Sequence, residues 1–370
     1  MDIRAIAQKA AEFQIRLDSL KRKIAPTAFA WYPYDSLGNF SNMDEVLTGE
    51  RRQLLELIGG ERVLDIGCGD GDVAFFLESL GCRVDAVDNP STNYNGMRGV
   101  WSLKAELNSG VNIHRADIDA QFELPAERYG AAFLLGVLYH LKNPFQALEI
   151  LAHRARYCLL STRIAAFTPD RSINFFDAPL AYLLAPGQVN YDATNYWIFS
   201  NASLRLLLSR TQWEILDYRV FGDPAASGPS DQQSDLRAMC CARSRIFDHV
   251  GAGRLLSGWH RLEENAWRWT ERRFSVEFSN PPARGVLTLR LAVPNTIIEQ
   301  LGSLTLSASV NGLALPQAIY SNSGEYVYQC DVTNTGAAKV EFDLDKALPP
   351  RPPDLRELGV MVLSVNILPS

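Results

Sequence analysis

The chain has 370 residues, so two folded domains are expected rather than a single core. Its formal net charge of -6 at neutral pH argues against broad nucleic-acid binding through clustered Lys and Arg, although it leaves room for a local basic groove. No stretch reaches the roughly 18 apolar residues that a membrane-spanning helix needs.

The N-terminal residues lack the continuous apolar block of a signal peptide. The six cysteines show no paired C-x-x-C spacing, which makes a structural metal or a disulfide framework a poor interpretation. We therefore expect a cytoplasmic protein with reduced cysteines and no metal.

The first 44 residues predict a helix followed by an aromatic segment. Apolar residues recur at helical spacing over residues 2–23. Trp31, Tyr32 and Tyr34 follow beside a proline, in a stretch with neither helical nor strand periodicity. A lid over a bound ligand and an anchor of this segment to the core are both consistent with these aromatics.

Residues 45–244 alternate between short apolar strands and helices. Such alternation predicts a parallel, doubly wound sheet with right-handed crossovers, for which we expect seven strands. A loop-rich region over residues 164–200 interrupts the alternation. The predicted strands lie at residues 62–66, 83–87, 111–114, 129–135, 156–161 and 213–220.

The rest of the chain predicts a connecting helix and an all-β domain. Apolar residues such as Leu255, Trp259 and Leu262 favour a helix over residues 245–272. From residue 273 onward the apolar period is near two, and turn sequences such as Asn311–Gly312 recur, which predicts a β-sandwich over residues 273–370. Its predicted strands lie at residues 286–293, 304–310, 325–330, 338–344 and 359–367.

A glycine loop lies directly between the first predicted strand of the α/β region and the helix that follows. It reads Val63-Leu-Asp-Ile-Gly67-Cys-Gly-Asp-Gly71. Glycine at such a junction lets backbone N–H groups approach a ligand closely, although short glycine turns also close βα units that bind nothing. The loop is neither G-x-G-x-x-G nor G-K-[ST], which disfavours dinucleotide and triphosphate sites.

Three acidic residues accompany the loop at successive strand ends. Asp65 precedes it, and Asp88 ends the next strand, where a carboxylate can accept ribose hydroxyls. Asp117 follows the third strand, where a carboxylate can accept the adenine amino group. Because the three acids lie at the ends of successive strands of a βαβαβ unit, they favour an S-adenosylmethionine (SAM) site over isolated helix caps.

Residues 63–72 resemble motif I of the class I (Rossmann-like) SAM-dependent methyltransferases, and the resemblance extends over about residues 45–220. Residues 135–144 resemble the motif IV segment of the subfamily that contains the tRNA wobble-uridine carboxymethyltransferase. Residues 190–199 are similar to an N-x-x-x-T-N-x-W segment of its relatives. The chain departs from that enzyme in its C-terminal domain, and we find no match for its basic N-terminal region or for its lysine for a carboxylated cofactor.

The resemblance implies SAM as cofactor and S-adenosylhomocysteine (SAH) as product. The residues implied to contact the cofactor are Asp65, Gly67, Cys68, Gly69, Asp88, Asn89, Asp117, Ile118, Leu135 and Gly136.

Candidate catalytic residues follow the central strand. His140 suits a general base near neutral pH, with turn capping or packing as the alternative. Tyr139 would border the methyl group or act as a packed wall. Arg163 would meet an anionic acceptor. The full set of acceptor-side candidates is Trp31, Tyr32, Tyr34, Arg163, Asn195, Tyr196 and Trp197.

Three functions stay open at this point. The first is methyl transfer to a small-molecule or glycan acceptor at a hydroxyl; the second is tRNA modification; the third is a non-catalytic SAM-binding or glycan-binding protein. In the first, the β-domain would hold a saccharide through exposed aromatics such as Tyr320, Tyr326 and Tyr328. Because Tyr326 and Tyr328 share one face of a strand, a core position is the alternative for these two. Residues 354–362 resemble a segment of β-sandwich domains attached to bacterial glycan-related enzymes.

Overall fold

The computed structural model describes residues 1–24, 29–120, 122, 124–126, 128–225, 227–229, 236–247, 253–263, 267–278 and 281–369. Contacts divide the chain into two compact units, Met1–Arg245 and Ile246–Ser370. Each unit has its own hydrophobic core. Among the described residues, no helix is both long and apolar enough to cross a membrane.

The first unit is an α/β domain. Its helices are α1 (Ile3–Ile24), α2 (Asn39–Val46), α3 (Leu54–Ile58), α4 (Asp72–Ser79), α5 (Arg98–Leu107), α6 (Pro144–Arg154) and α7 (Asn201–Arg210), with short 3-10 helices at Gly49–Arg52 and Leu138–His140. Its strands are β1 (Val63–Ile66), β2 (Val84–Asp88), β3 (Asn112–Arg115), β4 (Tyr129–Leu135), β5 (Ala155–Ile164), β6 (Ala181–Leu183), β7 (Trp197–Phe199), β8 (Trp213–Phe221) and β9 (Leu236–Ser244).

The sheet confirms the predicted α/β fold. Strands β3, β2, β1, β4 and β5 lie side by side in that order and are parallel. Strand β9 pairs antiparallel with β5 on one side and β8 on the other, which completes seven strands. The hairpin β6–β7 is an addition within the region predicted as loop, and it meets β5 where Ile164 pairs with Phe199.

Register places the carboxyl ends of β1 to β4 at one edge of the sheet. Asp65 pairs with Ala86 of β2 and with Phe133 of β4, and Asp88 pairs with Arg115 of β3. All four residues of β1 are buried, as expected for a central strand covered on both faces. The glycine loop, Asp88 and residue 117 therefore converge on the edge where open α/β sheets bind ligands.

In its described residues the second unit is all-β apart from one short helix, α8 (Asn295–Leu301). Its strands are β10 (Gly253–Glu263), β11 (Trp267–Phe278), β12 (Arg284–Val293), β13 (Leu304–Val310), β14 (Leu313–Ala314), β15 (Ala318–Tyr320), β16 (Gly324–Thr333), β17 (Ala338–Leu344) and β18 (Met361–Pro369).

The described strands of this unit are antiparallel and hydrogen-bonded into one continuous sheet. Strand β11 connects its two halves, because residues 273–278 pair with β17 whereas residues 268 and 269 pair with β18. Buried side chains from both halves share one core. The all-β prediction is confirmed, with a single folded-over sheet where a sandwich has two separate ones.

The helix predicted over residues 245–272 is wrong, because β10 and β11 form an antiparallel hairpin there. Residues 248–252 and 264–266 of that prediction lie outside the described residues. Register shifts after Leu255, Ser257 and Trp259 break the period-two alternation, so apolar residues fall at spacings that imitate a helix. A Cβ on Gly258 would lie 1.9 Å from the carbonyl oxygen of Arg273, so this glycine permits the close approach of the two strands.

The three tyrosines considered for saccharide binding belong to the core or its margin. Tyr320 and Tyr328 are each only 5% exposed. Tyr326 is partly buried and packs against Tyr320 with ring centroids 4.7 Å apart. The alternative of a core position is therefore correct for Tyr328, and Tyr326 lies at the margin of the core.

Candidate active site

The three glycines of the loop have different surroundings. A Cβ on Gly67 would lie 2.4 Å from Val137 Cγ2, and one on Gly71 would lie 2.7 Å from side-chain atoms of both Phe75 and Val100. The protein itself therefore fills the space at these two positions. Gly69 differs, since a Cβ there would make only ordinary contacts, at 3.5 Å or more, with the Tyr32 ring. Gly69 is therefore the open position of the loop, whereas Gly67 and Gly71 are closed off by the protein's own side chains.

Asp88 is bound to the glycine loop. Its Oδ2 accepts hydrogen bonds from the Gly69 N–H (2.8 Å) and from Asn93 Nδ2 (2.9 Å), and its Oδ1 accepts one from the Asn89 N–H (2.8 Å). Burial raises the pKa of this carboxyl, while these donors act in the opposite direction. A carboxylate has about four acceptor positions, so Asp88 keeps room for about one further hydroxyl. Asn93, which the sequence interpretation missed, also donates to the Gly69 carbonyl.

Asp65 lies buried beneath the loop. Its side chain is 3% exposed, and its Oδ2 has no hydrogen-bond partner among the described residues. Burial, with the nearby negative charges of Asp88 and Asp72, raises the pKa of Asp65 to about 7. A buried carboxylate oxygen without a donor is energetically costly, so a ligand that brings a cationic or N–H group would relieve it.

The remaining cofactor candidates surround the same edge. Cys68 is buried in the loop, and burial raises the pKa of its thiol. Asp117 is exposed just after β3, where the Ala116 N–H donates to the Asp88 carbonyl, and Ile118 follows it half-buried. Leu135 ends β4, and Gly136 has a φ of +77° with its N–H bonded to the Ser161 carbonyl.

The N-terminal aromatic segment covers the loop. The Tyr32 N–H donates to Asp70 Oδ2 at 2.7 Å, and Asn95 Nδ2 donates to both Asp70 Oδ1 and the Ala30 carbonyl. The Tyr32 ring stacks edge-on against those of Tyr34 and Tyr94. Burial raises the pKa of Tyr32, and its cover over Gly69 supports the lid interpretation.

Trp31 serves a different purpose from Tyr32. It packs against the main core of the first unit and lies 5.0 Å from the Phe29 ring, centroid to centroid. Tyr34 is 54% exposed. The anchor interpretation therefore describes Trp31, whereas Tyr32 is the aromatic in contact with the glycine loop.

His140 follows β4 in a 3-10 turn at the same edge. Its Nδ1 lies 3.0 Å from Thr194 Oγ1, 3.3 Å from the Thr194 carbonyl oxygen and 3.8 Å from Asp192 Oδ2. Burial lowers the pKa of His140, and the negative charge of Asp192 opposes this effect. The Tyr139 ring lies beside it, with centroids 4.4 Å apart. A half-buried imidazole that is neutral at pH 7 is a suitable proton acceptor.

The segment over residues 190–197 is docked onto residues 139–142. The Tyr196 N–H donates to the Tyr139 carbonyl, and the Trp197 indole N–H donates to the Lys142 carbonyl. Asn195 is buried, and its amide donates to the carbonyls of Val189 and Asp192. Asn195 therefore shapes this segment, while Tyr196 and Trp197 are partly exposed beside His140.

Two arginines lie opposite each other near the end of β5. Arg163 is 4% exposed and pairs in register with Arg237 of β9. The Arg237 guanidinium lies 6.0 Å from the centre of the Tyr139 ring, and its Nη1 lies 3.9 Å from where a Cβ on Gly136 would be. Arg237 was not expected from the sequence, because β9, rich in small residues and cysteine, was not predicted.

These residues fit the chemistry of SAM. Gly69 leaves space for a ligand at the loop. The Asp65 carboxylate has an oxygen without a hydrogen-bond donor among the described residues, which suits a cationic amino acid portion. The remaining acceptor position of Asp88 suits a ribose hydroxyl. The described residues contain no cluster of three or more His, Cys, Asp or Glu side chains that could hold a metal ion. The fold and the residues at the carboxyl ends of β1 to β4 together define a SAM-binding α/β domain.

Comparison with known proteins finds similarity in the same part of the chain. Residues 40–218 match the family model described as a methyltransferase domain. The match covers most of the α/β unit and agrees with the fold of the SAM-dependent methyltransferases, whose cofactor is SAM.

Two curated relatives share part of this domain. A tRNA U34 carboxymethyltransferase from Campylobacter hominis is 28% identical over 163 residues, which are 40% of this chain and 54% of the relative. A SAM-dependent Diels-Alderase, iccD, from Talaromyces variabilis is 29% identical over 139 residues, which are 36% of this chain and 46% of the relative. The chain thus spans about half the length of either relative.

Among solved structures, the N-terminal domain of EvdMO1 with SAH bound overlaps with a TM-score of 0.41 and 15% identity. The overlap covers 66% of this chain and 97% of that domain.

Proposed function

We propose that the protein transfers a methyl group from SAM to a hydroxyl of a small-molecule or glycan acceptor. The observation that carries this proposal is His140, a half-buried imidazole with a lowered pKa at the edge where the cofactor residues converge. A hydroxyl nucleophile benefits from a base that takes its proton, and a neutral imidazole supplies one near pH 7.

Bound SAM supplies a methyl group on a positively charged sulfur, which makes the carbon open to in-line attack. The chain's own task is to hold and align the partners. In the proposal, Asp88 accepts a ribose hydroxyl, Asp65 offers its free oxygen to the amino acid portion, and Asp117 accepts the adenine amino group. The other cofactor contacts are proposed for Gly67, Cys68, Gly69, Asn89, Ile118, Leu135 and Gly136.

The acceptor would lie between the aromatic N-terminal segment and the docked segment over residues 190–197. Tyr32 excludes water above Gly69, and Tyr139, Tyr196 and Trp197 form the walls. His140 removes the proton of the attacking hydroxyl. Acceptor binding would be assisted by the C-terminal β unit, and the cytoplasm is the proposed compartment because all six cysteines are free thiols.

A second candidate function is tRNA modification. It is favoured by the 28% identity to the tRNA U34 carboxymethyltransferase and by the similarity of residues 135–144 to that subfamily. The net charge of -6 makes a large nucleic-acid contact less favourable. The relative named as a SAM-dependent Diels-Alderase motivates a third outcome to test, in which this protein binds SAM without transferring its methyl group.

Methyl-labelled SAM distinguishes these functions. The full chain is incubated with three acceptor pools: free saccharides, small alcohols and phenols, and bulk tRNA. The proposal predicts that the wild-type protein transfers label to a saccharide or small-molecule product. The His140→Gln variant should transfer much less label while it still binds SAH. Label in tRNA alone would instead favour the second function. Full turnover by His140→Gln would contradict the base assignment.

A further inference from the structure

The segment that docks beside His140 presents a threonine and an aspartate to one imidazole nitrogen. Thr194 Oγ1 lies 3.0 Å from His140 Nδ1 and 2.6 Å from Asp192 Oδ1. The same Asp192 oxygen accepts the Thr194 N–H at 2.7 Å. Asp192, Thr194 and His140 therefore form a chain of hydrogen bonds, and sequence patterns assigned no role to the first two.

The direction of each bond follows from what its atoms can do. A carboxylate only accepts, so the Thr194 hydroxyl proton points to Asp192. The Thr194 oxygen must then accept from His140, and the Thr194 carbonyl, 3.3 Å from the same nitrogen, is also an acceptor only. Both bonds require a proton on Nδ1. In the neutral imidazole the lone pair is consequently on Nε2.

We propose that Thr194 and Asp192 are positioning residues that hold the proton of neutral His140 on Nδ1, so that Nε2 carries the lone pair which takes the acceptor's proton. This inference rests on the proposed function of His140 as a base. Without the threonine hydroxyl, the imidazole would be free to exchange tautomers, and a fraction of molecules would lack a base at Nε2.

The charges around the ring agree with this assignment. Asp192 faces Nδ1 from the docked segment, with Oδ2 at 3.8 Å, and the guanidinium of Arg237 in β9 lies 6.0 Å from the centre of the Tyr139 ring. When Nε2 takes the proton of the hydroxyl, the O–H electron pair stays on the oxygen, which forms the bond to the methyl carbon. The bond from that carbon to the sulfur of SAM breaks, and its electron pair stays on sulfur to give SAH. The positive charge that forms on the ring is then close to Asp192, and the proton later leaves to solvent.

Nitrogen NMR on the full chain tests the proposal without an acceptor. The chain has five histidines, so selective ¹⁵N-histidine labelling gives few signals, and His140→Gln identifies the one that matters. In the SAH complex we expect the wild-type neutral ring as the Nδ1–H tautomer. Thr194→Val should lower the ratio of the Nδ1–H to the Nε2–H form by about tenfold, the effect of one lost hydrogen bond. Thr194→Ser should restore it.

A matched control lies in the same loop-rich region over residues 164–200. Thr168 Oγ1 donates to Asp170 Oδ1 at the same 2.6 Å, in a bond that involves no histidine, so Thr168→Val should leave the His140 signal unchanged. A wild-type ring in the Nε2–H form, or equal tautomer ratios in Thr194→Val and Thr194→Ser, would overturn the proposal. Failure of methyl transfer to every acceptor pool would instead contradict the proposed function, and the tautomer readout would be unaffected.

Discussion

The Lys21 ammonium lies 2.8 Å from Oδ2 of Asp72, which joins the N-terminal helix to the start of α4 directly after the glycine loop. Both side chains are mostly buried, at 12% and 6% exposure. Lys21 also lies 3.9 Å from Asp70 and 5.8 Å from the centre of the Trp31 ring. One cation thus connects α1, the aromatic segment and the cofactor loop.

Removing this cation should destabilise the first unit. Lys21→Met leaves the Asp72 carboxylate buried without its partner, and breaking a buried pair from one side costs about 3 kcal/mol. Urea unfolding would measure the loss. The double variant Lys21→Met/Asp72→Asn should recover part of it because the Asp72 charge is removed together with its partner. A single variant within about 0.5 kcal/mol of the wild type would contradict a stabilising role of the pair.

Alanine substitution at Gly69 should weaken cofactor binding more than it weakens the fold. Gly69 has a φ of +59° and Gly60 has a φ of +72°, so alanine at either position incurs a similar backbone cost of about 1 kcal/mol. Nothing lies within 4 Å of a Cβ on Gly60, which makes Gly60→Ala the matched control. We expect Gly69→Ala to reduce SAH affinity about tenfold or more, or about 1.4 kcal/mol, by calorimetry. Equal affinities in the two variants would refute the role of Gly69.

Asp65 should make the ligand-free protein less stable as pH rises. Its pKa is about 7 in the folded state, whereas an unfolded Asp has a value near its ordinary ~3.9. Between these values only the folded state holds the proton, so stability falls as pH increases through this window.

The isosteric variant Asp65→Asn tests this relationship. It should flatten the pH dependence and raise stability at pH 8 by about 1 kcal/mol or more, since one pKa unit corresponds to about 1.4 kcal/mol. The same variant should bind SAH more weakly, because the free carboxylate oxygen is lost. Thermal unfolding at pH 5 and pH 8, with and without SAH, measures both effects. A variant that is less stable at pH 8 and binds SAH normally would contradict the assignment.

Two neighbours should shift the pKa of His140 in opposite directions. Asp192 raises it and Arg237 lowers it, while burial keeps it below the ordinary value of His. Asp192→Asn should therefore lower the pKa further, and Arg237→Gln should raise it, as measured by NMR titration of the His140 ring. Because the neutral form is the base, the acid limb of the rate profile should move with each shift. Shifts of the same sign in both variants would show that other groups control the ring.

The sequence was sufficient to predict those strands whose apolar pattern follows directly from burial. Strands β1 and β4 read as mainly apolar runs because both faces of the sheet are covered, and β13 and β17 alternate because one face is buried. Strand β9 escaped prediction because its residues, many of them small or cysteine, lack a strong strand preference. The bulged strand β10 was mistaken for a helix, since its shifted register removed the period of two.

The candidate site likewise contains some residues that sequence patterns identify and others that they do not. Asp65, Gly69 and Asp88 could be found because they occupy fixed places around a strand–loop–helix junction. Arg237 and Asp192 approach His140 only through tertiary contacts, from a strand more than 90 positions away and from a docked segment. Within the N-x-x-x-T-N-x-W segment, Asn195 was expected to meet the acceptor, but its amide binds the segment's own carbonyls. Sequence spacing does not reveal which way a loop residue faces.

The central claim is that SAM binds at the edge formed by the glycine loop and Asp88, and calorimetric titration of the full chain with SAH tests it most directly. One SAH should bind per chain, and Asp88→Ala should reduce the affinity about tenfold or more through the loss of a charge-assisted hydrogen bond. A chain that releases no heat and shows no thermal stabilisation with SAH, or an Asp88→Ala variant that binds as tightly as the wild type, would contradict the account.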